Sequence, residues 1–314
     1  MANMNELFLK FDDKIKLTTA KSNNLKISRD ALRTDIKQWF EENDKKQPNF
    51  CWQGSFAMKT TINPIEDDDY DMDDGVYLNG YSSEQDTWPA TSTVHKWIKD
   101  ATDDRTEQDT IDKNTCVRVV YADNYHVDLP IYIMKDEIPY LAHKNNGWIE
   151  SDPKAFKDWF LEKISNNGEQ LRRLVRYLKG WKDYNDLPLK GIELTILASE
   201  NFDSFENRDD KSLKNTVANI ITKLEEDYVC IKPVIPNENL FEGHSETRKN
   251  EVIDAFKKMK NVLEEVFVEQ DEECASQKLI ALFGSRFPKG EKSLESNYQK
   301  TSAPGVLKHD GRSG

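Results

Sequence analysis

The chain has little cysteine: four residues in 314, at 51, 116, 230 and 274, with no Cys-x-x-Cys pair. That spacing supports neither a disulfide framework nor a thiolate zinc site. It has no apolar run near the ~20 residues that a membrane-spanning helix needs. Its first residues lack the apolar centre of a secretory leader, so the expected protein is soluble and cytoplasmic, with no membrane partner. Positive charge is also scarce: 44 Lys and Arg stand against 57 Asp and Glu, for a formal net charge of −13. Nonspecific binding of duplex nucleic acid draws on a basic surface that neutralises phosphates. The charge therefore argues against such a partner and for small substrates. No internal repeat is present. The 37% hydrophobic residues include 14 Phe, 7 Trp and 11 Tyr, enough aromatic bulk for a core, and the length admits one large domain or two fused ones.

Carboxylate is abundant, and one stretch concentrates it. Residues 53–78 read Gln-Gly-Ser-Phe-Ala-Met, a Thr/Asn/Pro segment, then Glu66-Asp-Asp-Asp-Tyr-Asp71-Met-Asp73-Asp-Gly-Val-Tyr-Leu. In a strand, residues i and i+2 share a face, so Asp71 and Asp73 can point at one site. Two hard oxygen donors this close suit Mg²⁺, which keeps waters and adds phosphate oxygens as ligands. A pair of such ions activates an attacking hydroxyl and stabilises a departing pyrophosphate. Gly54 and Ser55 predict a turn whose backbone N–H groups can approach a triphosphate, with the Ser55 hydroxyl as a further donor. A Gly-Ser pair is more often a plain turn. Seven of the nine residues 66–74 are acidic, the composition of a solvated loop. The loop reading suits residues 67–69; it suits 71–78 badly, because that segment runs into strand formers.

Residues 116–121 and 125–134 read as a hairpin across Ala-Asp-Asn. Its second strand carries Asp128 among apolar neighbours. A lone buried carboxylate is costly unless paired or metal-bound; the alternative is an edge position, which Pro130 permits. His126 reads as a packed or exposed strand residue rather than a base.

Gln53-Gly-Ser-Phe, Asp71-Met-Asp-Asp-Gly-Val-Tyr and His126-Val-Asp-Leu-Pro-Ile-Tyr resemble the bacterial cGAS/DncV-like nucleotidyltransferases (CD-NTases), which make cyclic oligonucleotide signals in CBASS anti-phage defence. The likeness continues through Trp148-Ile-Glu-Ser-Asp-Pro-Lys, Leu171-Arg-Arg, Leu178-Lys-Gly-Trp-Lys-Asp and Ala281-Leu-Phe-Gly-Ser-Arg, in family order. The segment between the Gly-Ser turn and Asp71 is longer than in most of the wider superfamily. The zinc-binding insertion of DNA-sensing animal relatives has no counterpart.

The resemblance implies an α+β fold: a polymerase-beta-like mixed sheet with N-terminal helices, fused to a C-terminal helical half. It implies Asp71, Asp73 and Asp128 as catalytic and metal-binding carboxylates for two Mg²⁺ ions, with Mn²⁺ as the alternative. It implies nucleotide contacts at Gln53, Gly54, Ser55, Arg118, Ser151, Lys179 and Thr195. For Arg118 a surface salt bridge stands as a second reading, and for Ser151 a helix cap. The register at Thr195 is loose by a residue or two. ATP and GTP are the implied substrates and a purine cyclic dinucleotide such as cyclic GMP–AMP the product. The rivals are a nucleotidyltransferase that modifies a drug, a protein or an RNA end, and a non-catalytic regulatory relative.

Residues 1–23 place Leu7, Phe8, Phe11, Ile15 and Leu17 at helical spacing. Ser28 is the expected N-cap of a second helix, 29–43, and both helices are expected to brace the sheet. Residues 136–148, with Pro139, two Asn and Gly147, read as a linker. Ser151-Asp-Pro153 reads as a helix start. On the helix 169–184, Arg172, Arg176 and Lys179 fall on one face. Such a stripe is usually solvated; in so acidic a chain it is a candidate grip for triphosphate, with Lys179 the member that matches the family. The resemblance implies a loop beside the active site at 231–241. The expected division is a catalytic core with bracing helices at 1–148, a helical half closing the cleft at 149–287, and a disordered tail at 288–314. The tail ends in Gly314. A terminal glycine has no Cβ to exclude it from an activating enzyme's narrow channel, and in the family some synthases are conjugated there by an E1/E2-like partner. Against that, glycine is common in disordered ends.

Overall fold

The N-terminal apolar periodicity divides in two in this computed structural model, which describes residues 3–65 and 69–292. The helices are α1 (Asn5–Ile15) and α2 (Thr19–Glu42). The Thr18 hydroxyl accepts the Lys21 N–H and caps α2. Ser28, the expected cap, instead lies inside α2, buried, with its hydroxyl 2.8 Å from the Tyr125 phenol. A serine caps a helix only where the chain before it is not already helical, and nothing between Thr18 and Ser28 breaks a helix.

The sheet comprises β1 (Asn49–Gln53), β2 (Tyr70–Leu78), β3 (Ile111–Asp112), β4 (Val117–Tyr121), β5 (Tyr125–Leu129), β6 (Ile131–Lys135), β7 (Ile138–His143) and β8 (Gly147–Glu150). A single turn of helix, α3 (Gly54–Ala57), follows β1, and α4 (Thr91–Thr102) follows β2. Pro130 divides the expected second hairpin strand into β5 and β6. It has no N–H to give, but its carbonyl accepts the Val76 N–H at 2.8 Å. Tyr70 to Asp73 therefore lie parallel beside β5, and Val76 to Leu78 parallel beside β6, while β1 pairs β2 antiparallel. Residues 136–148 are not a linker. They build most of the β7–β8 hairpin, in which His143 pairs with Gly147. The Asn-Asn-Gly run is its turn, with Gly147 at φ 72°, a conformation open to glycine.

From residue 153 the chain is helical: α5 (Pro153–Asn167), α6 (Glu169–Tyr184), α7 (Gly191–Glu200), α8 (Asp209–Glu226), α9 (Glu246–Val268) and α10 (Glu272–Phe283). The two N-terminal helices serve different cores. Leu32, Ile36 and Phe40 of α2 pack on Val76, Val119, Val127 and Ile131 of the sheet, with Val94 and Ile98 of α4. Leu7, Phe8, Phe11 and Ile15 of α1 pack instead among α6, α8, α9 and α10, where Phe8 and Phe11 meet Tyr177, Phe283 and Phe287. Of these two helices, α2 alone braces the sheet. No helix among the described residues is long and apolar enough to cross a membrane. The acidic residues 66–68 and most of the expected tail, including Gly314, lie outside the described residues.

Candidate active site

Register brings the carboxylates together. In the parallel pairing of β2 with β5, Asp71 lies beside His126 and Asp73 beside Asp128. Strand alternation then places all four side chains on one face. Asp71, His126 and Asp128 offer ligand atoms that lie within 4.8 Å of one another. His126 is buried, its Nδ1 3.0 Å from Asp69 Oδ2. Burial at the foot of the cleft, then the charges of Asp71 and Asp128, push the Asp73 carboxyl up to about 8 against the opposing pull of Arg118 and Lys179. Carboxylates crowded this closely have the chemistry of a site for a divalent cation, and Asp71, His126 and Asp128 fit an acidic metal site.

Gly54 makes the next contact. Its φ is 65°, and a Cβ there would lie 2.1 Å from Asp73 Oδ2. Both the left-handed backbone and the close approach require glycine. The Gln53 amide donates to the Tyr132 phenol at 2.9 Å, and Tyr132 stacks on Tyr77 at 4.8 Å between ring centres. Gln53 thus acts as a buried strut beneath the turn. The Ser55 hydroxyl lies 2.7 Å from that of Thr61.

A cavity of about 700 Å³ opens over these groups. Gln53, Gly54, Ser55, Asp71 and Asp73 form its sheet wall, and Ser151, Lys179 and Thr195 part of its helical wall. Arg118 and Asp128 do not line it. Arg118 grips both Asp128 oxygens, from Nε and Nη2, at 2.7 Å each. Of the two readings for Arg118, the observed one is a salt bridge, and it is half-buried rather than superficial. It also meets part of the cost of burying Asp128.

Ser151 is not a helix cap: the Asp152 carboxylate accepts the Ala155 N–H at 2.8 Å and caps α5. Thr195 is buried, its hydroxyl donated to the Gly191 carbonyl at 2.7 Å. Lys179 is buried too, with Nζ 3.2 Å from both the Thr60 carbonyl and hydroxyl. Burial pushes its ammonium down to about 8, against the pull of Asp71. The stripe of three cations does not act as one grip on this cavity. Arg172 and Arg176 lie outside it, because α6 turns this face inward onto residues 58–60 rather than to solvent.

The sequence reading missed Lys182, Asp183 and Lys232, all of which line the cavity. Lys182 and Asp183 are one turn beyond Lys179 on α6, so helical spacing carried that signal. Lys232 is buried in the expected loop 231–241, between two residues that give no hint of it.

Residues 48–132 match the family model described as the cyclic GMP-AMP synthase DncV-like nucleotidyltransferase domain. A cyclic GMP-AMP synthase of Escherichia albertii is 27% identical over 226 residues, covering 67% of this chain and 48% of the relative. A c-di-GMP synthase of Roseivirga ehrenbergii is 28% identical over 123 residues, 37% of this chain and 32% of the relative. The chain spans about half, or less, of the length of these curated relatives. The solved Vibrio cholerae DncV cyclic AMP-GMP synthase, in complex with the linear intermediate 5′ pppA(3′,5′)pG, superposes with a TM-score of 0.79 at 19% identity. That match covers 91% of this chain and 97% of the other. The likeness bears on the fold: a mixed sheet and a helical half of the polymerase-beta-like kind.

Proposed function

We propose that this chain, which belongs through residues 48–132 to the DncV-like nucleotidyltransferases, joins two nucleoside triphosphates into a cyclic dinucleotide. The observation that carries the reading is the register of β2 and β5, which puts Asp71, Asp73 and Asp128 on one face beside the Gly54 turn. Asp71, Asp73 and Asp128 would hold two divalent ions, Mg²⁺ or Mn²⁺. Such ions neutralise triphosphate charge and lower the pKa of an attacking hydroxyl. The N–H groups around Gly54 and Ser55 bind triphosphate oxygens, and Lys179 adds a buried positive charge from the opposite wall. Asp128, held by Arg118, orients the ribose hydroxyl that attacks the α-phosphate of the second nucleotide, and pyrophosphate leaves. A second attack, by a ribose hydroxyl of the linear product on the α-phosphate of its remaining triphosphate, closes the ring and releases a second pyrophosphate. The protein's contribution is alignment and charge rather than a covalent intermediate.

The substrates we propose are ATP and GTP. The Vibrio cholerae relative was solved with an intermediate that contains adenosine and guanosine, and the Escherichia albertii relative is named for a GMP–AMP product. Signalling in anti-phage defence is the corresponding role. Purified chain incubated with ATP, GTP and Mg²⁺ alone should give a cyclic dinucleotide by mass spectrometry. A product that forms only when an RNA, protein or drug acceptor is added would overturn the reading, and a requirement for UTP or CTP would overturn the choice of bases.

A further inference from the structure

The cation stripe of α6 has a target in the backbone. Arg172 Nε donates to the Met58 carbonyl at 3.0 Å, Arg176 Nη1 to the Lys59 carbonyl at 2.9 Å, and Lys179 Nζ to the Thr60 carbonyl at 3.2 Å. Three cations at helical spacing grip three consecutive carbonyls, one each. The strip they hold is thin. Met58 and Thr60 line the front cavity, Ala57 and Lys59 line a second cavity of about 430 Å³ behind it, and Thr61 borders both. The strip is also strained: Lys59 has φ 58°, a left-handed conformation that a side-chain-bearing residue keeps only when its surroundings hold it there.

The strip is bonded directly to the nucleotide turn. The Thr60 N–H donates to the Ser55 carbonyl at 2.9 Å, and the Ser55 and Thr61 hydroxyls are in contact. A shift of the Met58 or Lys59 carbonyl therefore moves Ser55, and with it the triphosphate donors beside Asp73. Arg172 and Arg176 are anchored from behind, Arg172 by Glu169 and Arg176 by both oxygens of Asp12 on α1.

We propose that Arg172 and Arg176 are positioning residues of the nucleotide site: by holding the Met58 and Lys59 carbonyls they set Ser55 against the carboxylates. The assignment rests on the nucleotidyltransferase reading for what the turn binds, but not for the clamp itself. Arg172 is the better probe. Its acidic partner Glu169 is exposed, whereas removing Arg176 would leave Asp12 buried without its partner.

In the full-length chain, Arg172→Met should raise KM for the nucleoside triphosphates about tenfold, the scale of one charge-assisted hydrogen bond, with a smaller change in kcat. Arg172→Lys, which keeps the charge but not the fork, should fall between it and wild type, and serves as the test variant if Arg172→Met does not fold. Amide exchange across residues 55–61 should rise about tenfold while the middle of α6 stays protected. In a Ser55→Ala background the KM effect should shrink to about twofold or less, because the two changes act on one contact. Unchanged exchange at 55–61, or a KM effect equally large in both backgrounds, overturns the proposal. The exchange measurement needs no turnover: a wild-type chain that makes no cyclic product sinks the functional reading, while the exchange data still decide the clamp.

Discussion

The two walls of the cavity are built by different means. On the sheet wall, position follows from local rules: strand alternation co-aligns Asp71 with Asp73, and a left-handed glycine lies against Asp73, while register sets Asp128 on the same face without bringing it into the cavity lining. On the helical wall, Lys179 and Lys182 come from α6 while Ser151 and Lys232 come from separate segments, and they meet only after α1, α6, α8, α9 and α10 have packed. The sheet wall is a short-range device and the helical wall a long-range one, so the same kind of substitution should have different consequences on each.

The largest effect is expected at the carboxylates. Asp71→Asn with Asp73→Asn should remove product formation by about three orders of magnitude or more, because charge stabilisation is the largest single contribution in such sites. The fold should survive, with a melting temperature equal to or above wild type, since burial and like charge already push the Asp73 carboxyl up to about 8. Turnover retained in the double variant, measured by product chromatography, would remove these residues from the site.

Gly54→Ala comes next. Its Cβ has no room beside Asp73 Oδ2, so stability should fall by about 1–3 kcal/mol through strain and overpacking, with activity falling about a hundredfold or more. The sharper version adds Asp73→Ala: denaturant unfolding should then show most of that stability regained, while activity stays lost. No recovery would mean that the strain lies in the backbone conformation alone.

On the opposite wall, Lys179→Met should act on binding more than on stability. The ammonium is buried with its pKa pushed down to about 8, so the fold already bears a cost for it. Triphosphate KM should rise about tenfold to a hundredfold, with thermal stability unchanged or raised. A large loss of melting temperature with unchanged KM would make Lys179 only a strut for Thr60.

These differences parallel how much was legible beforehand. Asp71 and Asp73 could be read because an alternating strand leaves one arrangement open, and Gly54 because few residues tolerate a positive φ. The boundaries of α6 followed from apolar spacing. The partners of α1 did not: Leu7, Phe8 and Phe11 announce a buried face without saying which core it enters. The Asn-Asn-Gly turn at residues 145–147 was read as a linker because turn and linker share a composition. Arg172 and Arg176 were read as a solvated stripe or a grip for triphosphate, and neither reading anticipates a backbone target. A basic stripe on a helix defaults to solvent, and only tertiary packing reveals three carbonyls opposite it. Lys232 gave no signal at all, since nothing in its neighbours fixes where a loop lysine points.

The smallest effect separates two adjacent residues that local rules confuse. Ser151 and Asp152 both precede Pro153, and either could cap α5. The Asp152 carboxylate takes the Ala155 N–H, while Ser151 lines the cavity. Asp152→Ala should therefore cost about 1 kcal/mol of stability, the usual cost of losing an N-cap, and leave triphosphate KM nearly unchanged. Ser151→Ala should do the reverse: denaturant midpoints stay put, and KM rises a fewfold, about the size of one neutral hydrogen bond. Measuring both variants by both assays gives a two-by-two result in which each residue moves one quantity. If Ser151→Ala lowers the unfolding midpoint and leaves KM alone, capping was its role after all, and the helical wall loses one of its proposed nucleotide contacts.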